Sequence, residues 1–139
     1  MTKKIENRNQ KLMEEIIRYL YKRNLHEDVF LFANGKEYMC DCSYLHYMTD
    51  KGEINPIEHE TYKKKYYEIC DRNPKDIDEY CNPDTVSMTF EGPFYHAYNG
   101  YALHNYSAYE DIEKIGKKYG LYPSQGYAWS LSFWEPVVW

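Results

Sequence analysis

The hydrophobic positions along this chain change period several times, and each change marks an element. Between residues 3 and 24, Ile5, Leu12, Met13, Ile16, Ile17 and Leu20 recur at helical spacing with charges between them. That pattern predicts an amphipathic helix, with Thr2 as its cap. Val29 to Ala33 is then apolar and strand-forming, followed by Asn34-Gly35 and a second strand pattern from Lys36 to Asp41. Asn-Gly accepts the positive φ angles of a type I′ turn, so this segment predicts a β-hairpin. Residues 42–55 fit either a longer second strand or a further hairpin around Asp50-Lys51-Gly52. Pro56 opens an expected helix running to about Asp71, with Ile57, Tyr62, Tyr66 and Ile69 on its buried side. Asn73-Pro74 ends it, and Pro74 to Tyr80 suits a short helical turn.

The C-terminal half is patterned more sharply. Thr85 to Glu91 alternates strictly, with Val86, Met88 and Phe90 on one side and polar residues on the other, as a half-buried strand does. Ser107-Ala-Tyr-Glu110 reads as a capping box for a helix whose apolar side carries Ile112, Ile115 and Tyr119, and Gly120 suits its left-handed C-cap. Tyr127 to Glu135 alternates again: Tyr127, Trp129, Leu131 and Phe133 share one side, which sets Trp134 opposite Trp129. Pro136 stops pairing. The sum is one α+β domain over residues 1–139. Its mainly antiparallel sheet has four to five strands, the N-terminal β-hairpin plus the two C-terminal alternating strands, packed against three to four helices.

Composition narrows the function classes. The 139 residues are 43% hydrophobic and 28% charged, which argues against disorder, and 17 of them are tyrosine. A formal charge of −5 argues against nucleic acid, whose phosphates call for a basic stripe. The one dense basic run, Lys63-Lys64-Lys65, lies among Glu58, Glu60 and Glu68 and reads as a solvated helix face. No run is long and apolar enough to cross a membrane, and the charged N-terminus has no apolar signal-type stretch, so a cytoplasmic protein is expected. Cys40, Cys42, Cys70 and Cys81 are then reduced thiols. With His46 they offer zinc-type ligands, but Cys40-Asp-Cys42 lacks knuckle spacing, and no metal or cofactor is expected.

The segment Gly92 to Ser107 carries the most suggestive chemistry. It holds Phe94, Tyr95, His96, Tyr98, Tyr101, His104 and Tyr106 and no formally charged residue. One reading makes these rings, with Trp134, a recognition surface, since tyrosine and tryptophan give large contact area at low entropy cost. The other has Pro93 start a short helix ending at Gly100, its rings completing the core. A third places a small-molecule or catalytic pocket beneath residues 92–107, with His96, His104 and Glu91 as its polar groups. No nucleophile, phosphate-loop or dinucleotide motif accompanies them. The expectation is therefore a non-enzymatic recognition protein that binds a basic partner protein, of inhibitor type. In size, acidity and aromatic content the chain is similar to bacterial toxin-immunity proteins and phage-encoded inhibitors of host defence, a likeness that no motif carries.

Overall fold

In the structure, a computed structural model whose described residues are 2–40, 66–100 and 108–137, the chain is of the α+β class. Among these residues are three α-helices, α1 (Lys3–Lys22), α2 (Gly92–Tyr98) and α3 (Ala108–Lys117). Six strands form one sheet: β1 (Val29–Ala33), β2 (Lys36–Cys40), β3 (Tyr66–Asp71), β4 (Ser87–Phe90), β5 (Tyr122–Gln125) and β6 (Ser130–Trp134). Their order is β3-β2-β1-β4-β6-β5, and every neighbouring pair is antiparallel.

Local chemistry sets the helix ends and the first turn. The Thr2 hydroxyl accepts the Ile5 N–H at 3.2 Å and so caps α1. Asn34 (φ 55°) and Gly35 (φ 79°) make the β1–β2 turn, and the buried Asn9 side chain donates to Asn34 Oδ1 at 3.2 Å, tying the turn to α1. Beyond α3, Gly120 (φ 73°) lets its own N–H reach the Lys117 carbonyl and the Leu121 N–H reach that of Gly116, closing the helix.

The helices lie on one face of the sheet. Leu12, Met13, Ile16, Ile17 and Leu20 from α1 join Phe94 and Tyr98 from α2 and Ile112 and Ile115 from α3. They pack on the alternate residues Leu31, Met88, Phe90, Leu131 and Phe133 of the central strands. The first helix, the hairpin, the short turn (a 3₁₀ helix at Pro74–Asp76) and the alternation of β4 all agree with the sequence pattern.

Four expectations are corrected. Tyr66 to Asp71 is a strand and not the end of a helix: it pairs with β2, and the Lys36 ammonium reaches both Glu68 (3.0 Å) and Asp71 (3.2 Å) across the pair. Residues 56–65 of that expected helix, the alternatives for 42–55 and the Ser107 cap lie outside the described residues. Tyr127 to Glu135 is not one continuous strand, because β6 starts only at Ser130 and Tyr122–Gln125 turns back on it as a sheet-edge strand. An edge tolerates the Pro123 that hid this strand in the sequence. Nor is the Thr85–Glu91 strand half-buried, since Ser87 is as inaccessible as Met88. Residues 72–85, with their 3₁₀ turn, cross the opposite face, which carries no α-helix among the described residues. With β3 and β5 added, the sheet has six strands in place of the expected four to five.

Candidate recognition surface on the helix-free face

The structure divides the aromatic segment between core and surface. Glycine at 92 takes φ 64°, Pro93 sits in the first turn of α2, and the helix turns Phe94 and Tyr98 into the core, 0% and 5% exposed. There they meet Phe90, edge-on in both cases, at 4.7 Å and 5.8 Å. These two rings are thus buried packing and not a contact surface. Tyr95 is half-buried against the core, and His96 is exposed on α2. Glu91 lines a groove on the opposite, helix-free face of the sheet. Tyr101, His104 and Tyr106 lie outside the described residues. The expected surface and pocket at 92–107 are therefore not assembled from Phe94, Tyr98 and Glu91.

The helix-free face is built differently. The crossing segment is anchored first by Arg72, whose N–H bonds the Gly35 carbonyl and whose guanidinium meets the buried Glu37 carboxylate at 3.2 Å. Its centre is held by small polar groups that strand alternation places on this face. Ser87 and Ser132 share a hydrogen bond of 2.7 Å, and Ser132 Oγ also accepts the Asn82 N–H at 2.7 Å. Asp78, 2% exposed, accepts a short hydrogen bond from Ser130 Oγ and another from the Tyr80 N–H at 2.9 Å. Ser130 Oγ in turn accepts the Tyr127 N–H at 3.0 Å. One buried carboxylate thereby positions both Tyr80 and the loop that carries Tyr127. Gly126 is required in that loop, because a Cβ there would stand 2.5 Å from Asp78 Oδ2.

The result is an aromatic band across the sheet. Tyr80, 56% exposed, meets Tyr127 at 5.5 Å, and Tyr127 stacks on Trp129 at 5.0 Å with the rings 4° from parallel. Trp129 lines a groove of about 340 Å³ with Phe30, Ile77 and Thr89. Phe30 pairs across the sheet with Met39, whose Sδ accepts the hydroxyl of the half-exposed Tyr67 at 3.2 Å. Carboxylates flank the band: Asp28 and Glu91 at the groove, and Glu79, which accepts the Tyr127 hydroxyl at 3.1 Å. Trp134 is on the same face, in a second groove with Tyr80 and Gly126. The expectation that the two tryptophans face opposite ways is corrected: alternation begins at Ser130, and the loop before it carries Trp129 over to this face.

Sequence reading missed Tyr127, Trp129, Tyr80, Tyr67, Met39 and Phe30 as surface residues, and set Tyr127 and Trp129 on the side of Leu131 and Phe133. Tyr80 had a visible signal, an aromatic ring in an irregular stretch between Pro74 and Pro83. Tyr67 lay inside a helix expectation, and Phe30 and Met39 are unremarkable strand residues until the sheet order is known.

The three described cysteines are dispersed, and Cys42 and His46 lie outside the described residues. Cys40 belongs to the core beneath the helices, Cys81 is buried in the crossing segment, and Cys70 is exposed on β3. Among the described residues no three His, Cys, Asp or Glu side chains are grouped to hold a metal ion. Burial, with help from the Asp78 carboxylate and against a hydrogen bond from Ser87, pushes the Cys81 thiol up to about 11. A thiol raised on folding stabilises the protein fully below its unfolded value and loses that contribution as pH rises through the folded one. Between about pH 9 and 11, on the order of 2 kcal/mol of stability is therefore lost with Cys81 present. Chemical denaturation of wild type and Cys81→Ala across that range measures it; parallel pH profiles for the two would refute it.

No helix among the described residues is long and apolar enough to cross a membrane. No family model matches this chain, and no curated protein or solved structure matches it.

Proposed function

We propose that this protein is a non-enzymatic recognition module that binds a basic partner protein through the aromatic band of its helix-free sheet face. The observation that supports this reading is the continuity of the band. Tyr127 stacks on Trp129, Tyr80 packs tilted against Tyr127, and the Phe30–Thr89 groove joins these rings to Met39 and Tyr67. Exposed aromatic patches of this kind are typical of interface centres. The acidic flank of Asp28, Glu79 and Glu91, with a net charge of −5, favours a partner of opposite sign and faster encounter with it. A partner of that sort suits an inhibitor, which acts by covering a site on another protein.

The test uses the full chain to recover a partner from its native cells, followed by reconstitution from purified components. Tyr127→Ala and Trp129→Ala are each expected to weaken the reconstituted complex by about 2 kcal/mol or more, some thirtyfold. His96→Ala, on the helix side, is expected to leave affinity within about twofold. Calorimetric affinities unchanged by both band substitutions would sink the reading.

A further inference from the structure

The geometry points to the Phe30–Trp129 groove as a receptor for an arginine side chain, which resolves the basic character proposed for the partner into one chemical group and rests on that reading. The groove is open, about 340 Å³ in volume, and its apolar walls come from Phe30, Ile77 and Trp129 with Thr89 between them. Two carboxylates, Asp28 and Glu91, stand at its rim. They are held together by the backbone, since the Glu91 N–H donates to the Asp28 carbonyl at 3.1 Å. Among the described residues, neither carboxylate forms an ion pair and no lysine or arginine lines the groove.

That combination selects among cations. A guanidinium is planar, stacks on an indole and forks its N–H donors to carboxylate oxygens, whereas an ammonium is a compact, strongly hydrated point charge. Trp129 is fixed for stacking, because Tyr127 lies parallel to it at 5.0 Å. Asp28 sits at φ 59°, and its carboxylate lies beside Gly92 at the start of α2. An uncharged side chain entering the same groove would leave two carboxylates without a counter-charge. An aliphatic chain of arginine length can lie along Phe30 and Ile77 while its head meets the rim.

The experiment needs no identified partner. N-acetyl-arginine methylamide is titrated into the 139-residue chain at constant ionic strength, and the Trp129 indole N–H, assigned by its loss in Trp129→Phe, is followed by NMR. The citrulline and lysine counterparts serve as probes of charge and shape. Expected is a saturable shift with the arginine compound, half-complete on the order of 10 mM as suits one exposed stacked ion pair, and no saturation with citrulline. Asp28→Asn and Glu91→Gln are each expected to weaken it at least about threefold, and added salt to weaken it further. Asparagine is well suited to the left-handed backbone at 28, and Glu91 is exposed, so both variants are expected to keep the fold. No saturation with arginine, an equal response to citrulline or lysine, or indifference to both carboxylate variants would overturn the inference. The two readings fail separately. Partner binding that still depends on Tyr127 survives the loss of this receptor, and a working receptor does not rescue a partner that ignores the band.

Discussion

Phe94→Ala is expected to lower the unfolding free energy by about 3–5 kcal/mol, a large share of what a domain this size possesses. Its ring is fully buried, edge-on to Phe90 at 4.7 Å and stacked with Tyr98 at 5.3 Å. Truncation leaves a cavity bounded by α2 and the central strand β4, which the short helix and the sheet cannot close without disturbing each other. His96, two residues on and exposed on the same helix, is the control, and its alanine variant is expected to stay within about 0.5 kcal/mol. Urea denaturation of the two variants decides whether this segment serves as core. Similar, small effects at both positions would mean that the rings of α2 are surface after all.

Asp78→Ala is expected to cost about 2–4 kcal/mol and, unlike Phe94→Ala, to damage the binding face selectively. The substitution removes the acceptor for the Ser130 hydroxyl and the Tyr80 N–H at a site 2% exposed, where water does not replace it freely. Ser130 then has no buried acceptor, and the loop that it holds through the Tyr127 N–H loses its anchor. Asp78→Asn keeps an acceptor for Tyr80 but loses the charge-assisted bond from Ser130, so an intermediate loss is expected. Stability is read from denaturation and the state of the face from tyrosine and tryptophan fluorescence. A changed Tyr80–Tyr127–Trp129 environment in folded Asp78→Ala protein is the expected signature. An unchanged spectrum with unchanged stability would show that the carboxylate does not organise the band.

Several features were legible because their causes are local. Thr2 caps α1 through a bond to a residue three positions on, Asn34-Gly35 makes its turn by its own backbone preferences, and Gly120 closes α3 by its positive φ. The side of α1 that faces the core follows from the same spacing that built the helix, and Leu12 to Leu20 is buried where the pattern set it. Of the three readings of the aromatic segment, the short helix opened at Pro93 is the one that residues 92–98 adopt.

What failed depended on partners far away in the chain. Tyr66 to Asp71 carries residues that suit either helix or strand, and pairing with β2, some thirty positions earlier, decides for strand. Tyr122 to Gln125 becomes a strand only because β6 needs an edge neighbour. The alternation within Ser87–Phe90 and Ser130–Trp134 was legible, but neither the break before Ser130 nor what would cover the serine side was. Small hydroxyls look solvent-facing in sequence, yet here Ser87, Ser130 and Ser132 are buried because Asp78 and Asn82 cross over and complete their hydrogen bonds.

The sequence by itself determined the helix ends, the hairpin, the amphipathic faces and an aromatic-rich, acidic character, since each rests on neighbours a few residues apart. Only the tertiary structure decided which rings are buried and which exposed. It sent Phe94 and Tyr98 into the core and gathered Tyr80 from the crossing segment with Tyr127 and Trp129 from the loop before β6 into one band. The reason is geometric: which face of a sheet is left open depends on strand order and on what lies across it, and neither is written in the spacing of hydrophobic residues.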